Sequence, residues 1–339
     1  MSELRINNIT DRAGSSGPII AGVSTVTSTS HMVMPSGPTE MRGGRGRGLF
    51  IAGTQPGNTT INTINLVQVS TAGNATDFGD LSDRPTQPTA FGDSTRACVA
   101  GGNASPYASL ISKIEYITFS SGGGANDFGE LTEACRALSN GCSDATRGLR
   151  FGGVNSATAF GNRIDFVTIQ TTGDATEFGN LLLGRYGNPA VSNGVRGIQM
   201  AGNTGNSANN INIEFVNIQS KGDGQDFGQM ISVVDDGGTL CDKTRGVCAT
   251  SASGADTIEF ITMATFGNAT DFGNLSVGRR PRGCSNQTRG LFGGGANPIN
   301  NIIDFITIQT TGNATDFGDL ITGVQQLGAV SDIHGGTGD

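Results

Sequence analysis

Three short phrases recur six times in step along this chain, and that repetition restricts the fold more than any other feature. A phrase of the form Thr-Arg-Gly-apolar, with small variations, carries Arg47, Arg96, Arg147, Arg196, Arg245 and Arg289, at spacings of 49, 51, 49, 49 and 44 residues. Asp-Phe-Gly, or Glu-Phe-Gly in the third copy, carries Phe78, Phe128, Phe178, Phe227, Phe272 and Phe317, at spacings of 50, 50, 49, 45 and 45. Between them lies a third phrase: INLVQV from Ile64, IEYITF from Ile114, IDFVTI from Ile164, IEFVNI from Ile213, IEFITM from Ile258 and IDFITI from Ile303. Self-similarity at such a period marks a repeat architecture.

Each phrase reads as part of a sheet. RGLFGGG, from Arg289 to Gly295, is an apolar run ending in glycines, which suits a buried strand leading into a tight turn where backbones crowd near an axis. IDFITIQT alternates apolar and polar residues and reads as a strand with one buried face. GNATDFGDL begins with turn residues and places one aromatic at the same point of every copy. The stretch from Leu181 to Gly194 has room for a fourth strand. Four short strands per copy is the content of a propeller blade. No 3.6-residue apolar period supports a helical solenoid, and the 54 glycines disfavour helix throughout. A parallel β-helix uses shorter coils. The chain therefore reads as all-β: a six-bladed β-propeller over 41–339 behind an extended N-terminal arm over 1–40. QQLGAVSD, from Gln325 to Asp332, matches NPAVSN before Arg196 but has no following copy. A strand near 325–332 is expected to pair with the first blade and close the ring.

The doubled glycines Gly101-Gly102, Gly152-Gly153 and Gly293-Gly294, followed by Tyr116, Phe166 or Phe305, resemble kelch repeats over residues 47–332, with Phe128, Phe178 or Phe317 where kelch blades carry tryptophan. The chain has no tryptophan, the fourth copy has only Gly202, and the fifth reads CATSASG, so the resemblance departs from the family there. The arm, SELRINNITDRAGSSGPIIAGVSTVTSTSHMVMPSGPTE, resembles the start of virion structural proteins of marine and cyanobacterial tailed phages. That resemblance implies a tail, neck or capsid-associated appendage, found in the virion and assembled in host cytoplasm. Residues 1–40 would anchor it to other virion proteins, and the propeller would meet a host-surface glycan or protein. A homo-oligomer is compatible with this reading.

Bulk properties narrow the function classes. A net charge of −8 argues against nucleic acid, whose binding relies on Lys and Arg. The short basic cluster Arg42, Arg45 and Arg47 reads as a junction. No 18-residue apolar run implies a membrane span, and the N-terminus has no apolar core of a secretory signal. Asn74, Asn268 and Asn313, each in Asn-Ala-Thr, then read as turn residues rather than glycan acceptors. Six Asp-Phe-Gly copies are repeat elements, not a kinase metal site. GGRGRG lacks the following helix a dinucleotide loop needs. With His31 and His334 the only histidines, no catalytic set, cofactor or metal site is expected, and the protein reads as no enzyme. Cys98, Cys135, Cys142, Cys241, Cys248 and Cys284 read as reduced core residues, the equivalent positions 142, 241 and 284 being expected far apart, with one bridge left open.

The recurring acids Glu115, Asp165, Glu214, Glu259 and Asp304, with Asn65 in the first copy, admit two readings: a ligand-binding ring of charge, or structural pairing with the repeat arginines. Asp77, Asp127, Glu177, Asp226, Asp271 and Asp316 would cap turns before each Phe. Variation between copies concentrates at 54–63, 103–112 and 155–162, which gives Asn58, Tyr107, Asn155 and Phe160 as binding candidates. A cellular kelch-type interaction module and a propeller enzyme are the rival readings. The first needs no arm, and the second needs clustered His, Cys or metal-binding acids at one mouth of the channel.

Overall fold

The computed structural model describes residues 46–333, apart from 105–108, 138–139, 145, 157–159, 207–210 and 251–253. The arm over 1–40 and the candidate Tyr107 lie outside the described residues. All regular structure in the described residues is β, arranged as the six antiparallel blades of a propeller. Blade 2 shows the plan. Thr89–Gly92 is innermost, followed outward by Arg96–Ala100, Lys113–Thr118 and Asn126–Glu130. The innermost strands stand around the axis in the order Gly328–Ser331, Thr89–Gly92, Cys142–Ser143, Ala190–Ser192, Gly238–Cys241 and Arg280–Ser285, and the last meets the first.

The stretch between each repeat Phe and the next Arg supplies the innermost strand of the following blade. Blade 1 therefore takes its innermost strand from the C-terminal end, with Gly48 opposite Ser331 and Ile51 opposite Gly328. Ring closure by the strand near 325–332 is as the sequence implies.

The apolar core is divided into six clusters, each between two blades. Leu49, Ile64 and Phe78 of blade 1 meet Ala97, Val99 and Ile117 of blade 2, while Leu291, Ile303 and Phe317 of blade 6 meet Phe50 and Val67 of blade 1. The third phrase alternates buried and exposed residues toward its lower end, where Thr168 and Gln170 are exposed, but not at its start, where the sheet is sandwiched between neighbours. Its polar member Asp165 is as buried as its apolar neighbours. At Asp165 the alternation distributes side chains between two neighbouring blades, and lower down it divides core from water.

The outermost strand explains Asp-Phe-Gly. Phe128 is buried and meets Tyr116 edge-on. Gly129 has φ +147, and a Cβ there would lie 2.4 Å from the carbonyl oxygen of Gly173 in the next blade. That approach lets Gly173 N donate to Phe128 O (2.7 Å) and Ala175 N to Glu130 O (2.7 Å). Asn74, Asn268 and Asn313 work in the same turns: each accepts, through Oδ1, a backbone N–H of the preceding blade's outermost strand at 3.0–3.1 Å. The outer edges are thus occupied, which removes the pairing hazard of open strands. The doubled glycines answer to a different crowding from the one expected. A Cβ on Gly101 would lie 2.5 Å from Cys135 O, in the loop crossing to blade 3, so the pressure comes from that loop and not from the axis.

Candidate functional site

The two faces of the ring differ in kind. The lower face carries the start of each second strand and repeats its chemistry from blade to blade. An Asp or Asn three residues before each repeat Arg caps the turn: Asp93 Oδ1 accepts from Thr95 N (2.7 Å) and Arg96 N (2.8 Å). Asp144, Asn193, Asp242 and Asn286 do the same. Asp332 performs this role across the chain break, accepting Gly46 N and Arg47 N, both at 3.0 Å.

The repeat arginines then staple each blade to the next. Arg96 Nη1 donates to Ile169 O (3.2 Å), Arg147 to Ile218 O (2.9 Å), Arg196 to Met263 O (2.9 Å), Arg245 to Ile308 O (3.0 Å) and Arg289 to Val69 O (3.3 Å), while Arg47 reaches Phe119 O. Five of these guanidinium groups also lie over an aromatic ring, from Arg96 over Tyr116 at 4.4 Å to Arg196 over Phe215 at 5.3 Å. Such contacts are worth roughly 0.5–2 kcal/mol each. Blade 1 has Leu66 in place of the ring.

The expected pairing of repeat arginines with the recurring acids does not form, because strand register sets Arg147 opposite Thr168 and Arg150 opposite Asp165. The acids instead cap the loop arriving from the preceding blade. Glu259 accepts Ile231 N and Ser232 N, both at 2.8 Å, Glu214 accepts Leu182 N (2.7 Å), and Asn65 Oδ1 accepts Ile321 N (3.1 Å). Three of them also pair with buried arginines of their own surroundings: Asp165 with Arg150 (2.7 Å), Asp304 with Arg279 (2.8 Å), and Glu214 with Arg185. Burial pushes the carboxyls of Glu214 and Glu259 upward against these hydrogen bonds. Asp77 Oδ1 accepts Gly79 N at 3.1 Å inside the strand Thr76–Asp80, so it braces the outermost strand of the first copy.

The upper face is where the blades differ. Loops crossing between blades converge there on the axis and join by backbone bonds: Gln87 N to Gln326 O (2.9 Å), Ala137 N to Gln87 O (3.4 Å), Gly187 N to Ala137 O (2.9 Å) and Asp236 N to Gly187 O (3.2 Å). The sixth place is Pro281, which has no N–H to offer. There the buried Arg282 pairs with Asp236, whose carboxyl burial pushes up to about 6 despite that partner. Below this ring Asn140 Nδ2 donates to Thr239 O (3.1 Å) and Gly283 O (2.7 Å), reaching from blade 3 to blades 5 and 6. This one amide spans the bore.

One position of the crossing loops at this mouth is occupied in turn by Thr86, Arg136, Tyr186, Asp235, Arg280 and Gln325. Arg280 Nη2 lies 3.7 Å from Asp235, and Asn203 Nδ2 donates to Asp235 Oδ1 (3.3 Å). Phe160 stacks on Tyr186, with ring centroids 5.8 Å apart and planes 28° apart. Burial raises the Tyr186 phenol, and Asp235 adds to that effect. The Nε atoms of Arg136 and Arg280, and the hydroxyl of the wholly buried Thr86, have no hydrogen-bond partner.

Of the binding candidates, Phe160 belongs to this mouth. Asn155 lies beside it, donating to Glu133 Oε2 (3.0 Å), and pairs in the strand with Cys135 next to Arg136. Asn58 stands apart on blade 1, exposed at φ 59 in the turn of a hairpin. Most of 54–63 proves to be strand, Arg47–Gln55 pairing with Thr59–Gln68, because Thr54 and Gln55 continue the ladder to Thr60 and Thr59. Arg136, Tyr186, Asp235 and Arg280 stand in the crossing loops, outside the variable hairpins that the sequence singles out. Aligning the copies five residues past each Leu or Met that follows Asp-Phe-Gly exposes them as the column that varies most in chemistry.

Among the described residues no group of three or more His, Cys, Asp or Glu could hold a metal ion. Each of the six cysteines is a buried thiol, and burial pushes those of Cys98, Cys142, Cys248 and Cys284 far up. Equivalent cysteines are not all far apart: innermost strands sit at small radius, and Cys142 and Cys241 are near enough to influence one another. Among the described residues no helix is long and apolar enough to cross a membrane. No protein-family model matches the chain, and no curated protein does either.

Proposed function

We propose that the propeller is the display domain of a phage virion appendage, a tail, neck or capsid-associated structural protein, anchored through residues 1–40 and meeting its partner through the upper face. One observation carries this reading. The turn caps and arginine staples that repeat from blade to blade gather on the lower face, where Gly46 and Asp332 meet, while the side chains that vary most in chemistry are gathered at the opposite mouth. A surface whose six equivalent positions hold Thr, Arg, Tyr, Asp, Arg and Gln is not needed to build blades. Specificity is added where scaffold constraints are weakest. The phage-like arm supports the virion setting. Cryo-electron microscopy of the particle containing this chain tests it. The expected result is a ring whose lower face is turned toward the particle and whose upper face is exposed. A particle without the chain, or a ring whose upper face is buried against another virion protein, overturns the reading.

A further inference from the structure

We infer that the seam between the crossing loops of blades 5 and 6 is a pH-sensitive latch, which Asp236 favours shut when neutral and loosens when ionised. The place of this residue in the ring carries the inference. The crossing loops meet at one position, filled in turn by Gln326, Gln87, Ala137, Gly187, Asp236 and Pro281. Four backbone bonds run along it, from Gln87 N on Gln326 O round to Asp236 N on Gly187 O. The series stops at Asp236, because Pro281 has no N–H to continue it. Asp236 is the only one of the six that ionises, and it stands on the seam that lacks the backbone bond. A side-chain pair takes the place of that bond, Arg282 Nη2 donating to Asp236 Oδ1.

The pair is poorly provided for. Both partners are buried, Arg282 wholly and Asp236 at 5% exposure. Arg282 Nη1 donates to Pro281 O (2.9 Å), and its Nε has no partner. A buried ion pair with few further hydrogen bonds loses more on leaving water than the attraction returns. The neighbouring groups do not redress this. Arg280 of blade 6 also faces Asp236, but Asp235 on its own loop opposes that help. Tyr186 on the blade 4 loop, with Arg136 beyond it, presents a phenol whose burial keeps it neutral. On the blade 5 strands near Arg282, burial keeps the Cys248 thiol neutral, and Glu259 is taken up by Ile231 N and Ser232 N. Burial therefore lifts the Asp236 carboxyl from 3.8 to about 6 against the pull of Arg282. A carboxyl released into water returns to its ordinary value, so the closed seam binds the proton more tightly than the open one. Acid closes the latch, and rising pH opens it across the range from 3.8 to about 6. Between pH 5 and 7.5 this difference multiplies the opening constant about tenfold. Tyr186, Asp235 and Arg280 each stand one residue before the ring position, so their arrangement at the mouth follows the state of the seam. The device belongs to the ring and holds whether or not the chain serves in a virion.

Hydrogen exchange of the full chain at pH 5 and 7.5, corrected for the intrinsic rate at each pH, reads the seam through the Asp236 amide. The Gln87 amide, bonded to Gln326 O elsewhere in the ring, is the reference. Protection at Asp236 is expected to fall about tenfold from pH 5 to 7.5 while Gln87 stays constant. D236N has the shape of the neutral acid, and at pH 7.5 it is expected to keep the protection that the wild type shows at pH 5. Carbon-13 NMR of the wild-type Asp236 carboxyl needs no variant and is expected to titrate with a midpoint of about 6. If D236N does not fold, the wild-type exchange and titration still decide. A midpoint near 3.8, protection that is equal at the two pH values or rises with pH, an equal fall at Gln87, or a folded D236N less protected than the wild type at pH 7.5 each overturns the inference.

Discussion

Substituting Asp332 by Ala is the sharpest probe of how the ring is held shut. Its carboxylate accepts the N–H groups of Gly46 and Arg47 at 3.0 Å and is 3% exposed. Removing it leaves two amides without their acceptor in a poorly hydrated turn, at about 1–3 kcal/mol each, so that the loss should be about 2–6 kcal/mol. Asp93 makes the same two bonds, at 2.7 and 2.8 Å, in a turn whose strands stay covalently joined. D93A should therefore show a similar hydrogen-bond loss but no new freedom at the axis. In D332A the strand Gly328–Ser331 keeps its pairing with Gly48–Ile51, the bonds of Asp332 N to Arg47 O (3.1 Å) and of Ser331 Oγ to Ser285 O (2.5 Å), and the core packing of Ala329 and Val330. Urea unfolding followed with hydrogen exchange reads both parts. The expected result is a lowered midpoint in both variants, and accelerated exchange of the amides of 46–51 and 328–331 in D332A alone. An unchanged midpoint in D332A, or equal protection of these amides in the two variants, would refute the account of closure.

Three further outcomes follow from the same geometry. In a double-mutant cycle, D165N and R150M should couple by about 1–3 kcal/mol, while D165N and R147K should be additive within about 0.5 kcal/mol; coupling of Asp165 with Arg147 contradicts the observed register. Glu259 has its carboxyl raised by burial, so wild-type stability falls as pH climbs out of the ordinary carboxylate range through the raised value. E259Q should flatten that fall measured between about pH 4 and 7 and stay within about 1 kcal/mol of wild type, since Asn65 already serves this place in blade 1, whereas E259A should lose about 2–4 kcal/mol; an unaltered pH slope in E259Q removes the argument. G129A should cost about 3–5 kcal/mol by chemical denaturation, against under about 1 kcal/mol for the control G122A, whose Cβ would meet nothing nearer than 3.7 Å; a near-neutral G129A would mean that the Asp-Phe-Gly glycine is not set by the approach of the next blade.

The blade count, the strand content and the closing strand were all legible in the sequence, because repetition fixes what every copy must do. Two things were not. Arg147 and Asp165 recur together, which invites pairing, but their partnership depends on the length of the hairpin between them, and the ladder slides Asp165 to Arg150. The burial of Asp165 was equally hidden, since strict alternation looks the same whether the second face meets water or another blade. At the mouth, Phe160 was visible as an odd aromatic in a variable loop. Tyr186 and Arg136 were not, for they lie in segments that also carry the innermost strands, and only the convergence of crossing loops on the axis brings them together.

The strand Arg47–Gln55 also has a mechanical meaning. It is the first described strand of the ring, and it lies between two antiparallel partners, Gly328–Ser331 on one side and Thr59–Gln68 on the other. A force transmitted through residue 46 acts along this strand and loads both ladders in shear, so that many backbone bonds must yield together and none can be peeled open singly. The Asp332 clamp sits at the point where the load enters. Tension at the lower face would therefore be spread into two ladders of hydrogen bonds before it reached the mouth, leaving the geometry there unaltered while residue 46 is under load.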